Sequence, residues 1–170
     1  MEKIKTILLV VLVSCIVLGT AMCIFKREQT KEEMIQEYQK HEEAFEYVKG
    51  CFIANDVRRI DREADNKITI RINGADIPLE NMKDELLTEY VHLLFDDLNY
   101  SLIYYSSSTW KEDIMQLMFE KKTNKTYYYK EIIYCEDGKQ PESAGRFIDM
   151  ERIDQYWFYC EEDALGIRNG

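Results

Sequence analysis

A chain of 170 residues predicts one domain of ordinary size. Its formal net charge of −10 argues against nucleic acid as a partner, because the phosphates of DNA and RNA are bound by Lys and Arg. The scarcity of glycine and proline, with seven and two residues, argues against extended disorder within that domain.

The first predicted element is an uncharged apolar run at residues 6–25, which reads TILLVVLVSCIVLGTAMCIF. A helix rises about 1.5 Å per residue, so a run of about 20 residues spans the hydrocarbon core of a bilayer, which is about 30 Å thick. We therefore predict a transmembrane signal anchor at 6–25 with the lipid bilayer as its partner. A flank at 1–5 precedes this anchor, and a juxtamembrane segment at 26–33 follows it.

Three other interpretations of this run are open. Gly19 and Ala21 would suit a cleaved secretory signal, but apolar character continues past them to Phe25. Cys15 would suit a lipoprotein signal, but the residues that follow it stay apolar. A buried core helix is the least favoured, because a short soluble chain rarely holds a helix that is apolar on every side.

The orientation of this anchor depends on its flanks. The N-terminal position of the run and its short basic flank favour export of the rest of the chain, whereas Lys26 and Arg27 argue for the opposite orientation. We expect a single-pass protein of the cell membrane with its domain outside the cytoplasm. That domain is predicted to be a single α+β unit at 34–163, with a C-terminal tail at 164–170.

An amphipathic helix is predicted from Lys31 to Lys49, with Gly50 interrupting or ending it. Apolar residues recur there at spacings of four and three, which is the period of one helix face. These positions are Met34, Tyr38, His41, Phe45, Val48 and Phe52. A continuation through Ile53, Val57 and Ile60 keeps a similar spacing.

A β-hairpin is predicted next. Ile68, Ile70 and Ile72 alternate as in a strand, and Asn73-Gly74 follows, which favours a type I′ turn because both turn positions need positive φ. A short return strand, with Pro78, belongs at a sheet edge because proline cannot donate a backbone hydrogen bond.

A second helix is predicted from an N-cap at Asn81 to about Asn99. The remainder is typical of an antiparallel meander, with strands at 100–106, 114–121, 126–135 and 153–161 and one helical turn at 146–151. The segment 114–121 also fits a helix, but the compact turn at 123–125 favours a strand. Together these elements predict an α+β fold class: an N-terminal transmembrane helix followed by two or three helices packed on an antiparallel sheet of three or four strands.

The cysteines outside the apolar run are Cys51, Cys135 and Cys160. They form no CxxC pair or Cys/His cluster, which argues against zinc. A bridge between Cys135 and Cys160 is open if their strands are neighbours, but buried free thiols are favoured.

One face of the second helix carries Glu85, Glu89, His92 and Asp96 at spacings of four, three and four. The Glu89-x-x-His92 pair is of the type that binds metal in di-iron helical bundles, but such bundles need a second pair, which this chain lacks. A solvated charged face is therefore the favoured interpretation. His92, Glu89 and Asp96 remain a weak metal candidate.

Aromatic residues crowd the C-terminal half, and consecutive tyrosines place rings on both sheet faces. The predicted binding residues are Tyr127, Tyr128, Tyr129 and Trp157, since Tyr and Trp are favoured contact residues. The leading hypothesis is a non-catalytic binding module for a protein or glycan, with no cofactor. The alternatives are a metal-assisted hydrolase and a small-ligand carrier with a pocket between sheet and helices.

Overall fold

Eight antiparallel strands form one continuous sheet in the computed structural model, which describes residues 28–55, 57–107, 115–141 and 146–164. The strand order is β3-β2-β1-β4-β5-β6-β8-β7. The strands are β1 (Val57–Arg62), β2 (Ile68–Ile72), β3 (Ala75–Pro78), β4 (Leu102–Ser107), β5 (Met115–Lys122), β6 (Tyr128–Cys135), β7 (Arg146–Arg152) and β8 (Trp157–Asp163). The α-helices are α1 (Lys31–Lys40), α2 (Glu42–Asn55) and α3 (Glu85–His92).

The predicted fold class, a transmembrane helix followed by helices on three or four strands, is wrong. The part of the chain that the structure describes is mostly an eight-stranded sheet with three helices. The longest of these helices has 14 residues, whereas a span needs about 20, and no helix in the described ranges is long and apolar enough to cross a membrane. The predicted anchor at 6–25 lies outside the described residues.

The two strands that the sequence did not predict, β1 and β7, carry β-bulges. The pairing of β1 with β2 shifts register between Val57 and Arg59, and the pairing of β7 with β8 shifts between Phe147 and Asp149. A bulge inserts an extra residue and breaks the period of two. The inward residues Val57 and Ile60 are therefore three apart, which is the spacing of a helix, and the predicted helical turn at 146–151 is strand β7.

The predicted amphipathic helix is two helices. Thr30 caps α1 in a reciprocal capping box with Glu33. The helix ends at Lys40 with His41 as its C-cap, and α2 then runs through Gly50. The apolar face is confirmed except at His41, which is only half-buried at the break. Its fully packed members are Met34, Tyr38, Phe45, Val48 and Phe52.

The predicted hairpin is confirmed. Asn73 and Gly74 have φ of 50° and 82°, so both turn residues adopt the left-handed conformation that a type I′ turn requires. The return strand β3, with Pro78, lies at one edge of the sheet.

The second predicted helix begins later than expected. Asp84, not Asn81, is the N-cap of α3, and its carboxylate accepts the backbone N–H of Leu87 at 3.0 Å. Asn81 belongs to a short 3-10 helix instead. After His92 the chain continues as a π-helical turn, Leu93–Asp97, and it turns at Asn99 with φ of 61°.

The main core lies between the helices and one sheet face. Its centre is an aromatic cluster in which Phe45 of α2 packs on Phe119 of β5 at 4.9 Å between ring centroids, and Tyr38 of α1 packs on Trp157 of β8 at 5.1 Å. Such tilted aromatic pairs add to the stability that burial alone provides.

The opposite sheet face carries a second, smaller apolar cluster built only from strand residues, among them Met118, Ile133 and Phe158. Cys135 and Cys160 belong to it as buried free thiols, so the favoured interpretation of the cysteines is confirmed. Burial raises the pKa of Cys135 to about 12, which leaves its thiol protonated and unreactive at neutral pH.

Candidate functional site

A cavity of about 710 Å³ opens where α1, the turn after α3 and the ends of β5 and β6 meet. Its wall includes Met34 and Glu37 from α1, Asn99 from the turn, and Lys121 and Lys130 from the sheet. This volume is within the range typical of small-molecule sites, which is about 300–1,000 Å³.

The floor of this cavity is a pair of lysines. Lys121 of β5 and Lys130 of β6 are directly opposite each other in register, on the face that packs against the helices. Their side chains are only 9% and 12% exposed. Like charges directly opposite across two strands are destabilising, so this pair needs negative or polar groups around it.

Oxygen atoms from α1 and the residues before it meet this need. Lys121 Nζ lies 2.6 Å from Glu37 Oε1 and 2.8 Å from Gln29 Oε1, and it lies 4.3 Å above the ring of Tyr100. Lys130 Nζ donates to the backbone oxygen of Gln29. Gln29 therefore presents one oxygen to each lysine.

Burial lowers the pKa of Lys121, and the hydrogen bond and charge of Glu37 oppose this shift without cancelling it. A buried amine with a lowered pKa releases its proton more readily than a surface lysine does. Lys121 is thus the most chemically distinctive lysine of the cavity.

Glu161 of β8 is a hydrogen-bonded carboxylate beside Lys130. Tyr128 and Tyr159 both donate their hydroxyls to Glu161, and Lys130 Nζ lies 3.7 Å from the same carboxylate. Burial acts to raise the pKa of Glu161, but the two hydroxyls and Lys130 outweigh it, and the net shift is downward. Glu161 therefore stays ionised and balances Lys130.

The four predicted binding residues do not share one surface. Tyr127 is 51% exposed, and Tyr128 has its hydroxyl on Glu161. Tyr129 is on the opposite sheet face from Tyr128, because successive strand residues alternate. Trp157 is buried in the main core, where its indole N–H donates to Glu46 Oε1 at 2.8 Å. A binding role for these residues stays a prediction.

The weak metal candidates lie on an exposed helix face. His92 Nδ1 is 2.7 Å from Asp96 Oδ2, and Arg62 donates to the other oxygen of Asp96. Burial acts to raise the pKa of Asp96, but His92 and Arg62 outweigh it and the net shift is downward. Among the described residues no three His, Cys, Asp or Glu side chains are grouped to hold a metal ion.

The sequence pattern did not predict the pair Lys121 and Lys130 as a site. The signal that could have revealed it is the alternation along β5, in which Leu117 and Phe119 point to the core and Lys121 occupies the next inward position. A lysine in the buried phase of a strand is rare unless it is paired.

Outside the cavity, Glu131 of β6 is a second buried ionisable group. It is fully buried on the sheet face away from the helices, and among the described residues its one hydrogen-bond donor is the Tyr104 hydroxyl, at a long 3.4 Å. Burial raises the pKa of Glu131 well above its ordinary value, the nearby Glu162 and Glu120 add to the rise, and the Tyr104 bond opposes it. The folded state therefore favours a neutral Glu131.

We expect Glu131→Gln to stabilise the protein at pH 8 but not at pH 4. The folded-state pKa is the higher one, so wild-type stability falls as pH rises from about 4.5, the ordinary pKa, towards the raised value, and glutamine removes this loss. The gain at pH 8 should exceed about 1 kcal/mol, because one pKa unit is worth about 1.4 kcal/mol. Urea unfolding at both pH values measures it.

The matched control is Glu136→Gln, an exposed glutamate just beyond the same strand. It should leave the pH dependence unchanged. If wild type and Glu131→Gln instead show parallel stability profiles from pH 4 to pH 8, Glu131 does not titrate abnormally.

Comparisons of the chain with protein-family models, with curated proteins and with solved structures found no match. The geometry of the cavity and the chemistry of its residues are therefore the observations that bear on function.

Proposed function

We propose that this protein is a non-catalytic binding module for a small polar molecule, which it holds in the cavity above Lys121 and Lys130. The observation that carries the proposal is the in-register lysine pair on the floor of a 710 Å³ cavity. Buried like charges are costly in a purely structural role, whereas a binding site gains two directed donors from them.

The chemistry of the walls indicates the kind of ligand. Each lysine already binds an oxygen of Gln29, so a ligand carbonyl or carboxylate oxygen can replace either contact with the same geometry. Glu33 and Asp97 also line the cavity, and they can accept hydrogen bonds from ligand hydroxyl or amino groups. A small molecule with acceptor oxygens at one end and donors at the other fits both.

The alternative of a tyrosine-lined protein or glycan surface has weaker support. It needs several aromatic rings on one accessible face, and Trp157 is in the core while Tyr128 and Tyr129 point to opposite faces. Tyr127 alone among the four is more than half exposed.

The test is ligand-observed NMR of the full-length protein against a panel of small hydroxy acids, keto acids, amino acids and monosaccharides. We expect at least one class to bind wild type and to lose binding in Lys130→Met, which removes the ammonium group and retains an unbranched side chain one atom shorter. Lys139→Met is the matched control, because Lys139 is 72% exposed and remote from the cavity lining.

Circular dichroism confirms that each variant is folded before binding is compared. Binding that survives Lys130→Met unchanged, or a panel in which no class binds, would overturn the cavity as the functional site.

A further inference from the structure

Lys121 combines two features that suit a lysine amine to carbonyl chemistry. Its side chain is buried between the Tyr100 ring and α1, and a second lysine, which can donate to the same ligand, is directly opposite it in register. Burial favours the neutral amine, which is the form that attacks carbonyl carbon, and Glu37 opposes this effect without cancelling it. Surface lysines of this chain, such as Lys139, have neither feature.

Glu37 supplies the proton acceptor that this chemistry needs. Its Oε1 is 2.6 Å from Lys121 Nζ, which is within the distance required for direct proton transfer. Gln29 Oε1, at 2.8 Å from the same nitrogen, marks a position that a ligand oxygen can occupy beside the amine.

From this geometry we infer that Lys121 captures small polar aldehydes or ketones as an imine, with a ligand carboxylate facing Lys130. The inference builds on the proposed binding function, because it uses the same cavity. It goes further by naming the ligand class and a covalent bond.

The step balances without an oxidant or reductant. The Lys121 ammonium gives a proton to Glu37, and the neutral nitrogen attacks the carbonyl carbon, so that a C–N bond forms and the carbonyl π bond breaks. A proton then moves from the nitrogen to the new alkoxide and gives a hydroxyl. Glu37 returns its proton to this hydroxyl, which leaves as water, and the nitrogen lone pair forms the C=N bond. One carbonyl and one lysine ammonium give one protonated imine and one water, and Glu37 is again a carboxylate.

A 2-oxo acid is the simplest probe of this class. Its ketone can reach Lys121, and its carboxylate replaces the backbone oxygen of Gln29 as the acceptor for Lys130. Lys121 thereby forms the covalent bond, and Lys130 orients the ligand.

The experiment incubates the full-length protein at pH 7 with pyruvate and sodium cyanoborohydride, which reduces an imine to a stable amine, and maps the adducts by peptide mass spectrometry. We expect Lys121 to be labelled several-fold faster than Lys139, because burial lowers the pKa of Lys121 and so increases its fraction of free amine. Lys121→Arg should abolish this adduct and leave the surface adducts unchanged.

Lys130→Met should slow labelling of Lys121 several-fold, whereas Lys139→Met should leave its rate unchanged. The ratio of the Lys121 to the Lys139 labelling rate in wild type tests the imine inference even if a cavity variant does not fold. Labelling of Lys121 at or below the rate of Lys139 overturns the inference.

The failures of the two proposals are distinguishable by comparing pyruvate with lactate, which has a hydroxyl in place of the ketone. If both bind in the cavity by NMR and no Lys121 adduct forms, the imine inference fails and the binding proposal stands. If neither binds and no Lys121 adduct forms, both fail for this ligand class.

Discussion

Glu37→Ala should destabilise the protein by about 3–5 kcal/mol at pH 7, because it leaves the buried Lys121 ammonium without its partner carboxylate. The loss should shrink as pH rises, since burial alone then sets the pKa of Lys121 and lowers it further. The folded state releases its proton first, so stability recovers between that lowered pKa and the ordinary value of 10.5. Urea unfolding at pH 7 and pH 10 measures both effects.

Two controls distinguish the effect of losing the Glu37–Lys121 ion pair from a general effect on helix α1. Glu32→Ala alters an exposed glutamate on α1 and should cost under about 1 kcal/mol, since it affects only the helix terminus. Adding Lys121→Met to Glu37→Ala should recover most of the loss, because no buried charge remains. A Glu37→Ala deficit that is independent of pH and unrelieved by Lys121→Met would show that the pair is not the cause.

Local features of this fold were predictable from the sequence. The Asn73-Gly74 turn is fixed by the backbone preferences of two residues, and the alternation of Ile68, Ile70 and Ile72 sets which face of β2 is buried. No distant contact is needed for either. The helical stripe from Met34 to Phe52 was predictable for the same reason, apart from the break at His41.

The eight-stranded sheet was not predictable, because bulges conceal two of its strands. A pattern method identifies a strand by its period of two, and the register shifts at Val57/Arg59 and Phe147/Asp149 interrupt that period. Only pairing with β2, β4 and β8 reveals these segments as strands.

The cavity was not predictable for the same reason, because its residues are brought together by long-range strand pairing. Lys121 and Lys130 become neighbours through the register of β5 with β6, and Glu37 reaches Lys121 from 84 positions earlier in the chain. No spacing within one element encodes such a contact. The sequence predicted a binding site from the density of aromatic residues. That density cannot distinguish a contact surface from a core, because aromatic side chains are frequent in both.

Trp157→Ala tests whether Trp157 is a core residue or a contact residue. If it is a core residue, the substitution should cost about 3–5 kcal/mol of unfolding free energy, as large-to-small changes of a buried aromatic side chain do. The ring lies against Tyr38, Phe119 and Tyr134 at 5.1, 5.7 and 5.3 Å between centroids. Removing it leaves a cavity at the centre of the aromatic cluster and takes the indole N–H from Glu46. Urea unfolding at pH 7 measures the loss.

Tyr156→Ala is the matched control, since Tyr156 is the adjacent residue and is 38% exposed. It should cost clearly less than Trp157→Ala, because the Tyr156 side chain is partly exposed and lies outside the main core cluster. Trp157→Phe should fall between the two, since it retains a ring in the cluster but not the hydrogen bond. If Trp157→Ala were as stable as wild type and lost only ligand or partner binding, Trp157 would be a contact residue, and the core described above would need a different centre.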